Sequence, residues 1–148
     1  MPFSGALFGI IKTMRIFCAN SFTNEDFTTV SNRMRLVVDT LNKSGHEAYC
    51  PVFDPHKIAL QEKNETKKIF EYSFKNIAER DALVAIISSK NKSEGMLMEI
   101  GAALSKNKPV YVFVHKSLKS VPSHLPKLAT KTFSWDSLQD LEQALTKI

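Results

Sequence analysis

Between Ser93 and Ala103 the chain reads Ser-Glu-Gly-Met-Leu-Met-Glu-Ile-Gly-Ala-Ala, and Glu99 stands out in it. It is a carboxylate set among Met96, Leu97, Met98 and Ile100 and followed by Gly101, Ala102 and Ala103. A segment so apolar and so rich in small residues packs closely, and a carboxylate packed that way needs a partner or a task. An ionised carboxylate can act as a nucleophile or stabilise a developing positive charge. The ordinary alternative is an early-helix acid complementing the helix dipole. Ser93 and Gly95 precede Glu99 where a helix should open. Backbone N–H groups at such a start attract anions, and a glycine allows close backbone approach. Ser93 alone reads equally well as a helix cap.

The elements that must position these residues alternate. Arg15–Ala19 is a short apolar run, followed by a polar break and a helix expected from about Thr23, with Asp26 in a capping-box-like place. Phe27, Val30, Met34, Val37, Val38 and Leu41 keep helical spacing until Ser44-Gly45. Glu47–Val52 reads as a second strand, 57–64 as a loop, and about Glu65 to Glu79 as a helix. Ala82–Ile87 is continuously apolar, as a central parallel strand requires. A helix from about Gly95 to Lys106, a buried strand at Val110–Val114, a short strand near Thr130–Phe133 and a last helix with Leu138, Leu141 and Leu145 on one face complete the pattern.

This alternation predicts an α/β fold: a single-domain five-stranded parallel sheet with helices on both faces, flavodoxin- or Rossmann-like, in the order 2-1-3-4-5. Residues 1–13 read as an N-terminal extension and 14–148 as the domain. Ligands of such folds bind beyond the carboxyl ends of the strands where the order reverses, which points at the loops 19–26, 88–95 and 115–123.

Composition sets limits on function. The 148 residues carry a net charge of +5, but the lysines are scattered without interleaved aromatics, so a small anionic ligand suits the charge better than nucleic acid. Cys18 and Cys50 fall on separate expected strands with no metal-ligand spacing. With no secretion signal they read as reduced core residues of a cytoplasmic protein. No apolar run is long enough for a membrane span, and nothing calls for a cofactor or a metal. His46, His56, His115 and His124 form no metal or triad pattern, and Trp135 reads as packing against the last helix.

From Arg15 to Ser123, about three quarters of the chain, the sequence resembles the nucleoside 2-deoxyribosyltransferase family, particularly its branch of 2′-deoxynucleoside 5′-phosphate N-hydrolases. The resemblance rests on the RIFCAN strand, Ala82–Ile87, the Ser-x-Gly-x-x-x-Glu-x-Gly pattern from Ser93 to Gly101, and Asn107-Lys108-Pro109 before the next strand. It implies that Glu99 attacks the anomeric carbon of a sugar, as a carboxylate does in retaining glycosidases. Water or a second base would then resolve the sugar ester. It also implies that Ser93 holds a 5′-phosphate, where the transferases carry an aspartate, and that Ser123 reaches the site of a neighbouring subunit in a homodimer or larger homo-oligomer. Ala19 and Asn20 match a glycine and a phosphate-contacting serine of the family, and Ile16 a tyrosine. Ser73 matches an aspartate, for which Tyr72, Glu71 or Asp81 are the candidate substitutes.

The function expected is therefore an N-glycosidase acting on a nucleoside 5′-monophosphate. The alternatives are a base-exchanging deoxyribosyltransferase, a nucleotide sensor of reduced activity and, more distantly, cleavage of a dinucleotide such as NAD.

Overall fold

Every residue from Ala82 to Ile87 is buried, the state of a strand covered on both faces. The structure, a computed structural model, describes residues 13–21, 25–88, 93–118 and 124–148. Residues 1–12, Thr23 and Ser123, each given a part above, lie outside these. In chain order the elements are β1 (Arg15–Asn20), α1 (Phe27–Lys43), β2 (Glu47–Tyr49), α2 (Pro55–Glu62), α3 (Thr66–Ala78), β3 (Ala82–Ile87), α4 (Glu94–Ser105), β4 (Val110–His115), the single turn α5 (Leu125–Leu128), β5 (Lys131–Trp135) and α6 (Leu138–Leu145). The five strands are parallel in the order β2-β1-β3-β4-β5, as expected from the alternation.

Period-two alternation splits the core in two. Ile16, Cys18, Val84 and Ile86 face α1 and α6, where they meet Met34, Val37, Leu141 and Leu145. Phe17, Ala19, Leu83 and Ala85 face α3 and α4, where they meet Ile77, Met96, Ile100 and Ala103. Trp135 belongs to the α1–α6 side, as expected, and its indole N–H donates to the Phe113 carbonyl at 3.2 Å.

Several boundaries differ from the sequence expectation. Helix α1 starts at Phe27, because Asp26 is its cap and accepts from the Thr29 N–H at 2.7 Å. Strand β2 stops at Tyr49, leaving Cys50 just beyond it. Pro51 has no N–H for the ladder and opens a 3₁₀ turn instead. The expected loop 57–64 is mostly helix α2. Asp54 caps it, accepting from the His56 N–H at 2.9 Å, and Pro55 occupies its first turn. Of the last helix's leucines, Leu141 and Leu145 are buried but Leu138 is exposed.

Candidate active site

Strand β1 lies where the sheet order reverses, and its last residues form one wall of a crevice. Cys18, Ala19 and Asn20 come from this wall, and Ser93, Gly95 and Glu99 from the start of α4 opposite. Lys57 and Gln61 of α2 close the side of this cavity of about 190 Å³. Ser93 caps α4 by accepting from the Met96 N–H at 3.3 Å, which leaves its own O–H free of that bond. A Cβ at Gly95 would meet only the Phe70 ring, at 3.9 Å, so the missing side chain leaves the wall open rather than relieving a clash.

Glu99 has almost no solvent of its own; its side chain is 10% exposed. The Lys57 ammonium sits 3.9 Å from its Oε2, close enough to attract and too far for a hydrogen bond. Lys57 Nζ donates instead to Ser73 Oγ at 3.2 Å, and the Ser73 hydroxyl hydrogen-bonds the Glu99 carboxylate. Burial pushes the Glu99 carboxyl up to about 7, and Lys57 and Ser73 offset only part of that rise. The neighbouring Cys50 thiol is pushed up to about 12, first by burial and further by the charge of Glu99. A carboxylate of this kind is desolvated, half-ionised near neutrality and turned into a cavity.

Lys57 owes its place to Asp54. The Asp54 carboxylate accepts from the hydroxyls of Tyr49 at 2.6 Å and Tyr72 at 2.7 Å while capping α2, which fixes the start of that helix against β2 and α3. Burial alone would raise the Asp54 carboxyl, but these hydrogen bonds hold it below its usual range. A second cavity, of about 380 Å³, adjoins the first and shares Pro51, Lys57 and Gln61 with it. Its other walls are Phe27, Val52 and Ile58, so it is an apolar slot with one cationic corner.

The family model for nucleoside 2-deoxyribosyltransferases matches residues 9–131. The chain belongs to that family. It is accordingly an enzyme of the N-glycosyl hydrolase and transferase group acting on nucleosides or nucleotides. Solved structures share its fold. The CMP N-glycosidase BcmB of Clostridium botulinum is similar at 16% identity and a TM-score of 0.62, over 88% of this chain and 97% of that one. A 2-deoxyribosyltransferase of Bacillus psychrosaccharolyticus is similar at 19% identity and a TM-score of 0.61, over 88% and 95%. A conserved protein of Enterococcus faecalis V583 follows at 17% identity and a TM-score of 0.54, over 92% and 99%. No curated protein sequence matches the chain significantly.

Of the residues singled out in the sequence, the fold brings Ala19, Asn20, Ser93, Gly95 and Glu99 to one cavity. Ser73 lies behind the wall, buried, in contact with Glu99 and Lys57. Asp81 does not join them. It precedes β3, at the amino ends of the strands, where it accepts from the Arg15 N–H at 2.8 Å and pairs with the Arg15 guanidinium at 3.5 Å. Neither of the other candidate substitutes for the family aspartate reaches Glu99: Glu71 is exposed and Tyr72 is bound to Asp54.

The residue that does reach Glu99 is Lys57, which the loop reading of 57–64 hid. The signal was present in Asp54-Pro55, a cap residue followed by a proline suited to a helix's first position.

The opposite face of the sheet carries a further cavity at the same end, of about 410 Å³, around Glu25, Arg33, Ser88, His115 and Trp135. Its buried charges are closed on one another: Arg33 pairs with Glu25, and Ser88 bonds both.

Proposed function

We propose that this enzyme cleaves the N-glycosidic bond of a nucleoside 5′-monophosphate, with Glu99 as the nucleophile. The observation that carries the reading is the pairing of a desolvated carboxylate with an open helix N-terminus in one small cavity. The 5′-phosphate takes the anion-attracting start of α4, where the Ser93 O–H donates to it while the Ser93 oxygen still caps the helix. With the phosphate held there, the anomeric carbon comes to Glu99, six residues after Ser93. The carboxylate displaces the base, and water hydrolyses the resulting ester. Among the structural relatives, the CMP N-glycosidase takes a nucleotide by its own name, which agrees with this assignment.

The same reading makes the working unit a homo-oligomer. Between Glu94 and Ser105 the outer side of α4 is apolar in its middle: Met98 is 48% exposed and Gly101 lies open beside it. We read that short apolar stretch beside the site as the place where a second copy packs. Light scattering should give a dimer or larger; a fully active monomer would remove this part of the proposal.

The test of the substrate is a comparison of kcat/KM for a nucleoside and its 5′-monophosphate in the wild type, S93A and S93D. One charge-assisted bond of about 1.5–3 kcal/mol corresponds to a loss of roughly ten- to a hundredfold in S93A, confined to the monophosphate. S93D should go further, because an aspartate repels the phosphate. Equal use of both substrates by the wild type, unchanged in the variants, would leave Ser93 as a cap and return base exchange between nucleosides to first place.

A further inference from the structure

Breaking the bond between a sugar and a nucleobase leaves an electron pair on the base nitrogen, and that nitrogen must be protonated for the base to leave readily. The group that supplies the proton must touch both the place where Glu99 attacks and the place where the base sits. Among the described residues lining the two adjoining cavities, only Lys57 and Gln61 belong to α2 and to both chambers, and Gln61 has no proton to give. The remaining titratable lining groups are Cys18 and Glu99. Glu99 is occupied as nucleophile, and burial holds the Cys18 thiol well above its usual range, so it is a poor acid.

We infer that Lys57 is the acid that protonates the departing base and the base that later activates water, with the apolar slot of Phe27, Val52 and Ile58 as the seat of the leaving group. This rests on the N-glycosidase reading of Glu99.

The physical case lies in how the two charges are coupled. Lys57 has a side chain 12% exposed and its counter-charge is Glu99, 3.9 Å away. While Glu99 is ionised, its negative charge faces the Lys57 ammonium across that gap. When Glu99 Oε bonds to the anomeric carbon, the C–N bond breaks and its electron pair goes to the base. The carboxylate becomes a neutral ester at that moment, leaving Lys57 a largely buried cation without its countercharge. Passing its proton to the base nitrogen removes both charges at once, and the products are neutral base, sugar ester and neutral amine. In the second half, water attacks the anomeric carbon and its proton goes to the Lys57 amine. The C–O bond to Glu99 breaks with its electron pair returning to the carboxylate, so the starting pair is restored. Ser73, bonded to Lys57 at 3.2 Å, holds the amine in place through both halves.

A leaving group that needs no proton separates this role from simple charge stabilisation. The experiment compares two substrates: the nucleoside 5′-monophosphate cleaved fastest by the wild type, and the same sugar 5-phosphate carrying 4-nitrophenol at the anomeric carbon, which departs as a stable anion. Two variants are used. K57M removes charge and proton; K57R keeps a cation opposite Glu99 but does not give up a proton. General acids typically contribute about a hundred- to ten-thousandfold, and K57R should lose that much on the nucleotide while losing far less on the nitrophenyl substrate. K57M should lose more than K57R on both, since Glu99 also forfeits its countercharge. Thermal melting checks the fold, and K57R carries the test if K57M does not fold. Equal losses on both substrates in K57R would overturn the acid role and leave Glu99 as nucleophile untouched. A wild type that cleaves neither substrate overturns the glycosidase reading itself, and this inference with it.

Discussion

Two acid–cation pairs stand at the same end of the sheet, one on each face, and they behave in opposite ways. On the α1–α6 side Glu25 and Arg33 form a closed ion pair with Ser88 bonded to both. Burial would raise the Glu25 carboxyl, but Arg33 and Ser88 overcome it and hold it below its usual range. On the α3–α4 side Lys57 stops 3.9 Å short of Glu99, and burial prevails, lifting that carboxyl to about 7. The first pair is saturated, with nothing left to offer a ligand. The second is underpaired, and an underpaired carboxylate in a cavity is free to make a new bond. Strongly perturbed acids gather at functional sites; structural ion pairs perturb them too, and the sign separates the two carboxylates here, raised at Glu99 and lowered at Glu25.

The comparison is broken most directly at the carboxylates themselves. E99Q should cost about 4 kcal/mol or more in barrier, roughly a thousandfold in kcat/KM, because the amide keeps the shape and loses the nucleophile. Steady-state rates with the preferred nucleotide measure this, and a variant turning over near the wild-type rate would end the nucleophile assignment. E25Q should do the reverse. It strands the buried Arg33 guanidinium, whose side chain is 7% exposed, and should lower stability by roughly 2–4 kcal/mol in denaturant titration while the folded protein still turns over. Were E25Q instead stable and inactive, the second cavity would have to be read as part of the site.

Acid separates the two pairs on a scale of pH. In the proposed mechanism Glu99 must be ionised to attack, so kcat/KM should rise through about pH 7 and fall about tenfold per unit below it. The charged and titratable groups facing it are Lys57 from α2 and Cys50 beyond β2, with Cys18 across the crevice; both thiols are held up by burial and stay protonated in this range. Glu25 has the opposite sign. Its folded value lies below the ordinary 4.5, so its contribution to stability is complete above that value and is lost as pH falls through the folded one. Asp54, also lowered, acts in the same direction. Activity should therefore vanish well before the fold does; coincident loss of both would mean that the activity limb reports unfolding.

Much of this arrangement was legible because it is local. The continuous apolar runs at Ala82–Ile87 and Val110–Val114 read as buried parallel strands, and right-handed crossovers leave few orders, of which the flavodoxin-like one expected is the one found. Gly95 and Glu99 stand four residues apart on one helix, so their spacing alone puts them on one face. Lys57 was not legible in the same way. Its ammonium meets Glu99 only because α2 is a helix, and α2 is a helix because Asp54, pinned by two tyrosines from different elements, caps it. A sequence pattern shows the cap but not the tertiary bonds that hold it. Asp81 shows the converse error: the resemblance offered it as a substitute for the family aspartate, but it stands at the amino end of β3, away from the cavity.

That error yields the smallest effect to be measured. A residue leading into a parallel strand lies at the strand's amino end, and the crevice lies at the carboxyl ends, so the whole length of β3 separates Asp81 from the cavity of Glu99. What Asp81 does there is modest. It accepts the Arg15 N–H at 2.8 Å, which ties the start of β1 to the start of β3, and its pairing with the Arg15 guanidinium is between side chains 40% and 55% exposed. Water screens such a pair and solvates either partner left alone, so its net worth is small. D81N keeps an oxygen for the Arg15 N–H and loses only the charge. It should leave kcat/KM unchanged and lower stability by about 0.5 kcal/mol, seen as a slight shift in the denaturant midpoint. A large fall in kcat/KM with the midpoint unmoved would contradict the separation of the two ends of the sheet, because a charge that far from the crevice and that exposed has no physical route to the chemistry.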